Sequence, residues 1–155
     1  MVQYEQINRW ISALYRCNQM YMAKHLKAHG VGMGQHMFLM CIHKLPGISQ
    51  DELTRHTFLN KSSVARAIGQ LEKNGLLTRQ VNPADKRAYR LYLTPRGEAA
   101  RGAALQFSNR HVEQMTAGFT QPQKDQALTL LEQMAHNVLA LQEEGKKETE
   151  KENEQ

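Results

Sequence analysis

The stretch Ser49-Gln-Asp-Glu-Leu-Thr-Arg-His-Thr-Phe-Leu-Asn-Lys-Ser-Ser-Val-Ala-Arg-Ala-Ile-Gly-Gln-Leu-Glu-Lys-Asn-Gly75 decides the fold. Ser49 and Glu52 make a Ser-x-x-Glu capping box: the serine oxygen can accept from a first-turn amide, and the glutamate can reach back. A short helix is predicted over about 50–57. Thr57 to Asn60 then makes a turn, and Asn60 is a good cap because its side-chain oxygen can satisfy an orphan amide. The next helix is predicted over about 61–74, with Asn74-Gly75 as its stop signal.

Two β-type segments follow, Leu76–Val81 and Tyr89–Thr94. In the second, Tyr89, Leu91 and Leu93 alternate with Arg90 and Tyr92, the period of a half-buried strand. The intervening residues 82–88 read as a polar, charged loop. Helix, short helix, turn, helix and hairpin in that order describe a winged helix-turn-helix, whose second paired helix enters a DNA major groove.

That assignment makes a demand on residues 61–74. At 100° per residue, Val64, Ile68 and Leu71 fall within about 60° of one another. Ser62, Lys73, Arg66 and Gln70 occupy an arc of about 80° on the far side, with no acid among them. The demand is met. Arg can bond a guanine edge in bidentate fashion, Gln an adenine edge, and Ser either a base or a phosphate. The competing reading is an ordinary amphipathic helix with a solvated face; the basic hairpin downstream weighs against it. In that hairpin Lys86 and Arg87 can lie along the backbone or in the minor groove. Asp85 can hold the Arg87 guanidinium in one direction. The candidate DNA-binding residues are therefore Asn60, Lys61, Ser62, Ser63, Arg66, Gln70, Lys73, Asp85, Lys86 and Arg87.

Flanking helices complete the chain. Ile7, Ile11, Leu14, Asn18, Tyr21, His25 and Ala28 step by four and three through a helix at about 5–29. A shorter helix fits about 34–45 and ends at Pro46-Gly47. Thr94-Pro95 opens another, running to about Gly118. Thr120-Gln-Pro-Gln123 caps a last one, in which Ala127, Leu131, Met134, Val138 and Leu141 form the stripe. Residues 143–155 hold six Glu, three Lys and no apolar side chain; they can extend the last helix or be disordered, and a frayed, disordered end is the favoured reading.

Composition agrees with a protein that meets a polyanion. The 155 residues carry a net charge of +5, but the tail contributes −3, so residues 1–142 hold +8. Nucleic acid is the first partner this suggests, and an anionic membrane surface the second. No apolar run reaches the roughly 18 residues of a membrane span, and the N-terminal residues lack a secretory layout. A cytoplasmic protein with no membrane association is expected. No phosphate-cradling loop, nucleophile elbow or His-Glu-x-x-His points to an enzyme.

Gly47-Ile-Ser-Gln-Asp-Glu-Leu53, Asn60-Lys-Ser-Ser-Val-Ala-Arg-Ala-Ile68, Leu71-Glu-Lys-Asn-Gly-Leu-Leu77, Asp85-Lys-Arg87 and Leu93-Thr-x-x-Gly97 together resemble the MarR family of bacterial transcriptional regulators. The resemblance covers nearly the whole chain. The family often has Asp where Asn82 stands, while the wing Asp and Arg persist as Asp85 and Arg87. The resemblance implies a mainly α fold: a single domain over 1–142, with dimerisation helices at about 5–29 and 95–142 around a winged helix-turn-helix at about 34–94. It implies a homodimer on a pseudo-palindromic operator, acting as a repressor that a small molecule releases. The stripes at 7–28 and 127–141 agree, because they lie outside the winged core and need an apolar partner; packing on their own subunit is the alternative.

Such an effector would sit among residues 14–41, where Tyr15, Met37, Met40 and Cys41 are the candidate pocket residues. Flexible Met side chains suit an adaptable pocket, but are also ordinary core. Cys17 and Cys41 read as buried, inert thiols rather than redox sensors. His25 and His29 are a workable i, i+4 ligand pair, but the sequence places no third ligand, so no metal and no cofactor are expected. Redox or metal sensing on the same fold, or a winged helix used as a protein-interaction module, are the alternatives.

Overall fold

The computed structural model describes the backbone of residues 3–57 and 59–153, and the side chains of 3–57, 59–85 and 88–141. Phe58 of the predicted turn and the side chains of Lys86 and Arg87 lie outside the described residues. The elements in order are α1 (Tyr4–Leu26), a 3₁₀ turn (Lys27–His29), α2 (His36–Lys44), β1 (Ile48–Ser49), α3 (Gln50–Thr57), α4 (Lys61–Lys73), β2 (Leu77–Asn82), β3 (Asp85–Leu93), α5 (Pro95–Met115) and α6 (Gln121–Asn153). The chain divides into two compact units, Met1–Val112 and Glu113–Gln155. Among the described residues no helix is long and apolar enough to cross a membrane.

The first unit holds a core drawn from every element of the winged lobe. Phe38, Leu39 and Ile42 of α2, Leu53 of α3, Val64, Ile68 and Leu71 of α4, and Leu91 of β3 are buried together with Met22 and Leu26 of α1. The capping box forms as its spacing requires. Ser49 N–H and Oγ both donate to Glu52 Oε2 at 2.8 Å, and Glu52 N–H returns a bond to Ser49 Oγ at 3.2 Å. The Ser49 amide, followed by its hydroxyl, holds the Glu52 carboxyl below the usual carboxylate range. Across the lobe, His43 Nδ1 lies 3.0 Å from both Glu98 oxygens, which ties α2 to α5.

The hairpin differs from the sequence reading in a way that matters for the wing. β3 begins at Asp85, so only Pro83 and Ala84 form the turn, not residues 82–88. Pro83 restricts the backbone at the turn, and Asn82 Oδ1 accepts from Ala84 N–H at 3.1 Å, a side-chain mimic of a backbone turn. Pairing then jumps from Asn82↔Asp85 to Val81↔Tyr89. Residues 86–88 therefore bulge out of the ladder, which raises local twist.

A third strand is present that periodicity did not show. β1 pairs with β3 through Ile48↔Leu91 and Ser49↔Arg90, giving the antiparallel order β1-β3-β2. Two residues are too few to display an alternation. Gly47 steers the chain there in a left-handed conformation at φ 83°, with its N–H donating to Leu91 O at 2.9 Å. The Leu-Thr-x-x-Gly motif also has a physical cause. Thr94 Oγ1 donates to Gly75 O at 2.7 Å and accepts from Gly97 N–H at 3.0 Å. A Cβ at Gly97 would collide with the Leu76 carbonyl oxygen, so only glycine lets α5 start there.

The second unit is the end of α5 and α6. Thr120 N–H and Oγ1 donate to Gln123 Oε1 at 2.8 and 3.2 Å, the predicted cap. α6 continues to Asn153, so the backbone of 143–153 is helical where a frayed end was expected. Glu, Lys and Gln are good helix formers, so the composition of the segment is compatible with a helix.

Candidate nucleic-acid interface

α4 is built by its cap and its buried stripe. Asn60 sits in extended conformation at φ −74°, ψ 156°. Its Oδ1 accepts from Ser63 N–H and from Ser62 Oγ, both at 2.8 Å. Val64, Ile68 and Leu71 are fully buried, which turns Lys61, Ser62, Arg66, Gln70 and Lys73 outward into solvent.

These outward residues are not equivalent. Asn60 is occupied as the cap, and the Ser62 hydroxyl proton is committed to it. Lys61 Nζ lies 3.1 Å from Asp51 on α3. That pair is well exposed, so it is weak and screened by salt. Gln70 Nε2 donates to Asn74 Oδ1 at 3.0 Å, and Asn74 Nδ2 donates to Gly30 O at 2.7 Å. Asn74, expected only as a stop signal, therefore also orients Gln70 and joins α4 to the loop after α1. Arg66 and Lys73 have no ion-pair partner among the described residues. On the neighbouring face, Glu72 Oε2 lies 3.0 Å from Arg79 Nε of β2, which keeps the single acid at this end of α4 neutralised.

On the wing, Asp85 is exposed and stands at the turn, with Lys86 and Arg87 next to it in the bulged part of β3. Two further exposed cations, Arg90 on β3 and Arg55 on α3, were not among the predicted residues. Alternation along the strand was the signal for Arg90. For Arg55 charge was the only one.

Beside α4 lies a cavity of about 660 Å³. It brings together Tyr15, Arg16 and Gln19 of α1, Met37 of α2, and Ser63, Arg66 and Gln70 of α4. Tyr15 and Met37 were expected there. Met40 and Cys41 are not lining residues: one turn further along α2, they pack against the core formed by Phe38, Leu39 and Ile42. Burial pushes the Cys41 thiol up, against a smaller opposing pull from Lys44. Cys17 is exposed rather than buried. It lies about 180° around α1 from the buried Leu26.

His25 of α1 joins a ring stack with residues of α5. The Tyr21 ring lies 4.3 Å from His25 and 4.0 Å from His111, and Phe107 packs on His25 at 4.8 Å. Among the described residues no three His, Cys, Asp or Glu side chains are grouped to hold a metal.

A polar, basic outer face on the second of two paired helices, with a hairpin wing beside it, defines a winged helix-turn-helix of the DNA-binding class. The model of the MarR family matches residues 32–89. A MarR transcriptional regulator from Methanosarcina mazei Go1 is 33% identical, with a TM-score of 0.83 over 88% of this chain and 99% of that one. The chain belongs to the MarR family, whose members are transcriptional regulators and not enzymes. A candidate transcriptional regulatory protein for the hcr operon of Thauera aromatica is 30% identical over 105 residues, 68% of this chain; the match spans 63% of that protein's length. A candidate MarR-family regulator from Listeria monocytogenes, solved with a 26mer DNA, shares the fold at 24% identity and a TM-score of 0.82, over 90% of this chain and 91% of that one.

Proposed function

We infer that the protein is a sequence-specific regulator that binds double-stranded DNA as a homodimer, represses from a pseudo-palindromic operator, and is released by a small-molecule effector. The observation that carries this reading is the outer face of α4. Arg66 and Lys73 are exposed cations without an acid opposite, and Gln70 is held in place by Asn74. This is the equipment for reading base edges while a wing holds the backbone. The Listeria relative solved with DNA supports the use of this fold on a duplex.

Dimerisation is supported by the apolar surface that each unit leaves open. In α1, Tyr4, Ile7, Trp10, Ile11 and Leu14 are 41–80% exposed. In α6, Leu128, Leu131, Val138 and Leu141 are 53–68% exposed. Such stripes mark an interface, and a two-fold symmetric dimer is the commonest way to cover them.

Selection from a random duplex pool at two salt concentrations tests the reading. Enrichment of a palindrome with half-sites about one helical turn apart is expected. Salt-sensitive binding without an enriched sequence would reduce the protein to a basic DNA coat.

A further inference from the structure

The direction of one side chain on the α4 outer face is set by a chain of hydrogen bonds that starts at a backbone carbonyl. Gly30 closes the turn after α1 in a left-handed conformation at φ 76°, and its N–H donates to Lys27 O at 3.1 Å. Val31 N–H donates to Leu26 O at 3.3 Å. That N–H and the Gly30 carbonyl belong to one planar peptide, so anchoring the first fixes the direction of the second. Asn74 Nδ2 meets the carbonyl at 2.7 Å. A carbonyl only accepts, so the Asn74 amide must present its nitrogen to Gly30 and its oxygen to Gln70. Gln70 must then present its nitrogen to Asn74, and does so at 3.0 Å. Turning either amide over would set oxygen against oxygen or N–H against N–H.

We propose that Asn74 is a positioning residue that makes Gln70 select adenine over guanine at one base pair of each half-site. The latch takes one Nε2–H of Gln70 and leaves Oε1 and the other Nε2–H without a partner among the described residues. One acceptor beside one donor matches the adenine edge, N6–H₂ and N7. Guanine offers two acceptors in the same place, O6 and N7. An untethered Gln can turn both N–H groups toward them. A tethered Gln has one to give, and its Oε1 is set against O6. The latch also orders a long side chain before DNA arrives, so less ordering remains to be done on binding. Asn74 itself is half-buried at the C-terminal end of α4 and acts only through Gln70. This rests on the DNA reading above, and the test separates the two.

Selection from a random duplex pool is run on the full-length wild type, Gln70→Ala, Asn74→Ala and Asn74→Asp. The base pair whose preference vanishes in Gln70→Ala is the one Gln70 reads. The wild type should favour adenine over guanine there by about tenfold, within the range of one bidentate contact. Asn74→Ala should cut that ratio to about threefold or less, and lower affinity for the best site about two- to tenfold, the scale of ordering one long side chain. Every other position should keep its wild-type preference. Asn74→Asp keeps an acceptor for Gln70 and should restore most of the ratio, although its charge weakens binding to all sequences alike. An undiminished ratio in Asn74→Ala overturns the proposal. So does a loss spread evenly over all positions, as a mere helix cap would give, or a ratio in Asn74→Asp as low as in Asn74→Ala. A Gln70→Ala protein with every preference intact overturns it at the root.

The second arm uses the free protein. NMR relaxation of the side-chain amides should show the Gln70 Nε2 group ordered in the wild type and mobile in Asn74→Ala. Equal mobility in the two proteins overturns the latch, whatever the DNA result. A wild-type protein that binds no duplex overturns the DNA reading of α4 and the base selection with it. The free-protein relaxation still reports in that case whether Asn74 holds Gln70.

Discussion

α4 and the first half of α1 are both amphipathic helices, yet they expose opposite chemistry. α4 buries Val64, Ile68 and Leu71 within its own lobe and shows solvent a polar, cationic face. α1 buries Met22 and Leu26 near its C-terminal end, while Tyr4, Ile7, Trp10, Ile11 and Leu14 stay open. Periodicity is similar in both helices, so periodicity alone does not say which side is finished. The difference lies in what remains after the core is closed. A leftover cationic face suits a polyanion; a leftover apolar stripe suits a second protein surface.

The comparison can be broken first at α1. A Leu14→Asp substitution should leave the winged lobe folded and shift the protein to monomers on a sizing column with light scattering. An unchanged oligomeric state would remove the open stripe from the interface. The next largest effect is expected in α4. Truncation of the fully buried Leu71 to Ala should cost about 2–5 kcal/mol by urea denaturation, because it leaves a cavity in the core. A similar loss from Leu14→Ala that does not depend on protein concentration would erase the distinction between the two stripes.

Asn60→Ala sharpens the reading of the outer face. It removes the acceptor for Ser63 N–H and should cost about 0.5–2 kcal/mol of stability. If Asn60 acts only as a cap, operator affinity measured well below the melting temperature should change little. A loss as large as that of Arg66→Ala would return Asn60 to the DNA-contacting set.

The smallest effect is a pH dependence. The His43 hydrogen bond is the largest influence and lowers the Glu98 pKa; a smaller desolvation opposes it, and the His43 charge and then Arg101 add lesser downward contributions. A carboxylate depressed in the folded state stabilises the fold above its ordinary value of 4.5 and loses that contribution as pH falls through the lowered value. The urea midpoint should therefore fall on the acid side more steeply in the wild type than in Glu98→Gln. Parallel acid limbs would show that the α2–α5 link carries no linkage.

The features legible beforehand were those that close over a few residues. The Ser49–Glu52 box, the Asn60 cap and the Thr120–Gln123 cap each span three residues, so local spacing specifies both partners. Much of the α4 outer face was legible for the same reason, since a helix of known period places Arg66 and Gln70 opposite Val64 and Ile68. The wing was harder. Residues 82–88 look like a loop by polarity, yet Asp85 pairs with Asn82 across a two-residue turn. Polarity does not distinguish a loop from an exposed, bulged strand.

The order of the helices and the hairpin, the capped helices and the chemistry of the α4 surface were determined by sequence alone, because they depend on short-range geometry and helical period. Only the tertiary structure decided the pairing of β1 with β3, the demand for glycine at position 97, the Asn74–Gly30 bond across 44 residues, and the membership of the cavity. Each of these joins groups distant along the chain. Their meeting is set by how the core of Leu39, Leu53, Ile68 and Leu91 packs, and no local pattern encodes that distance.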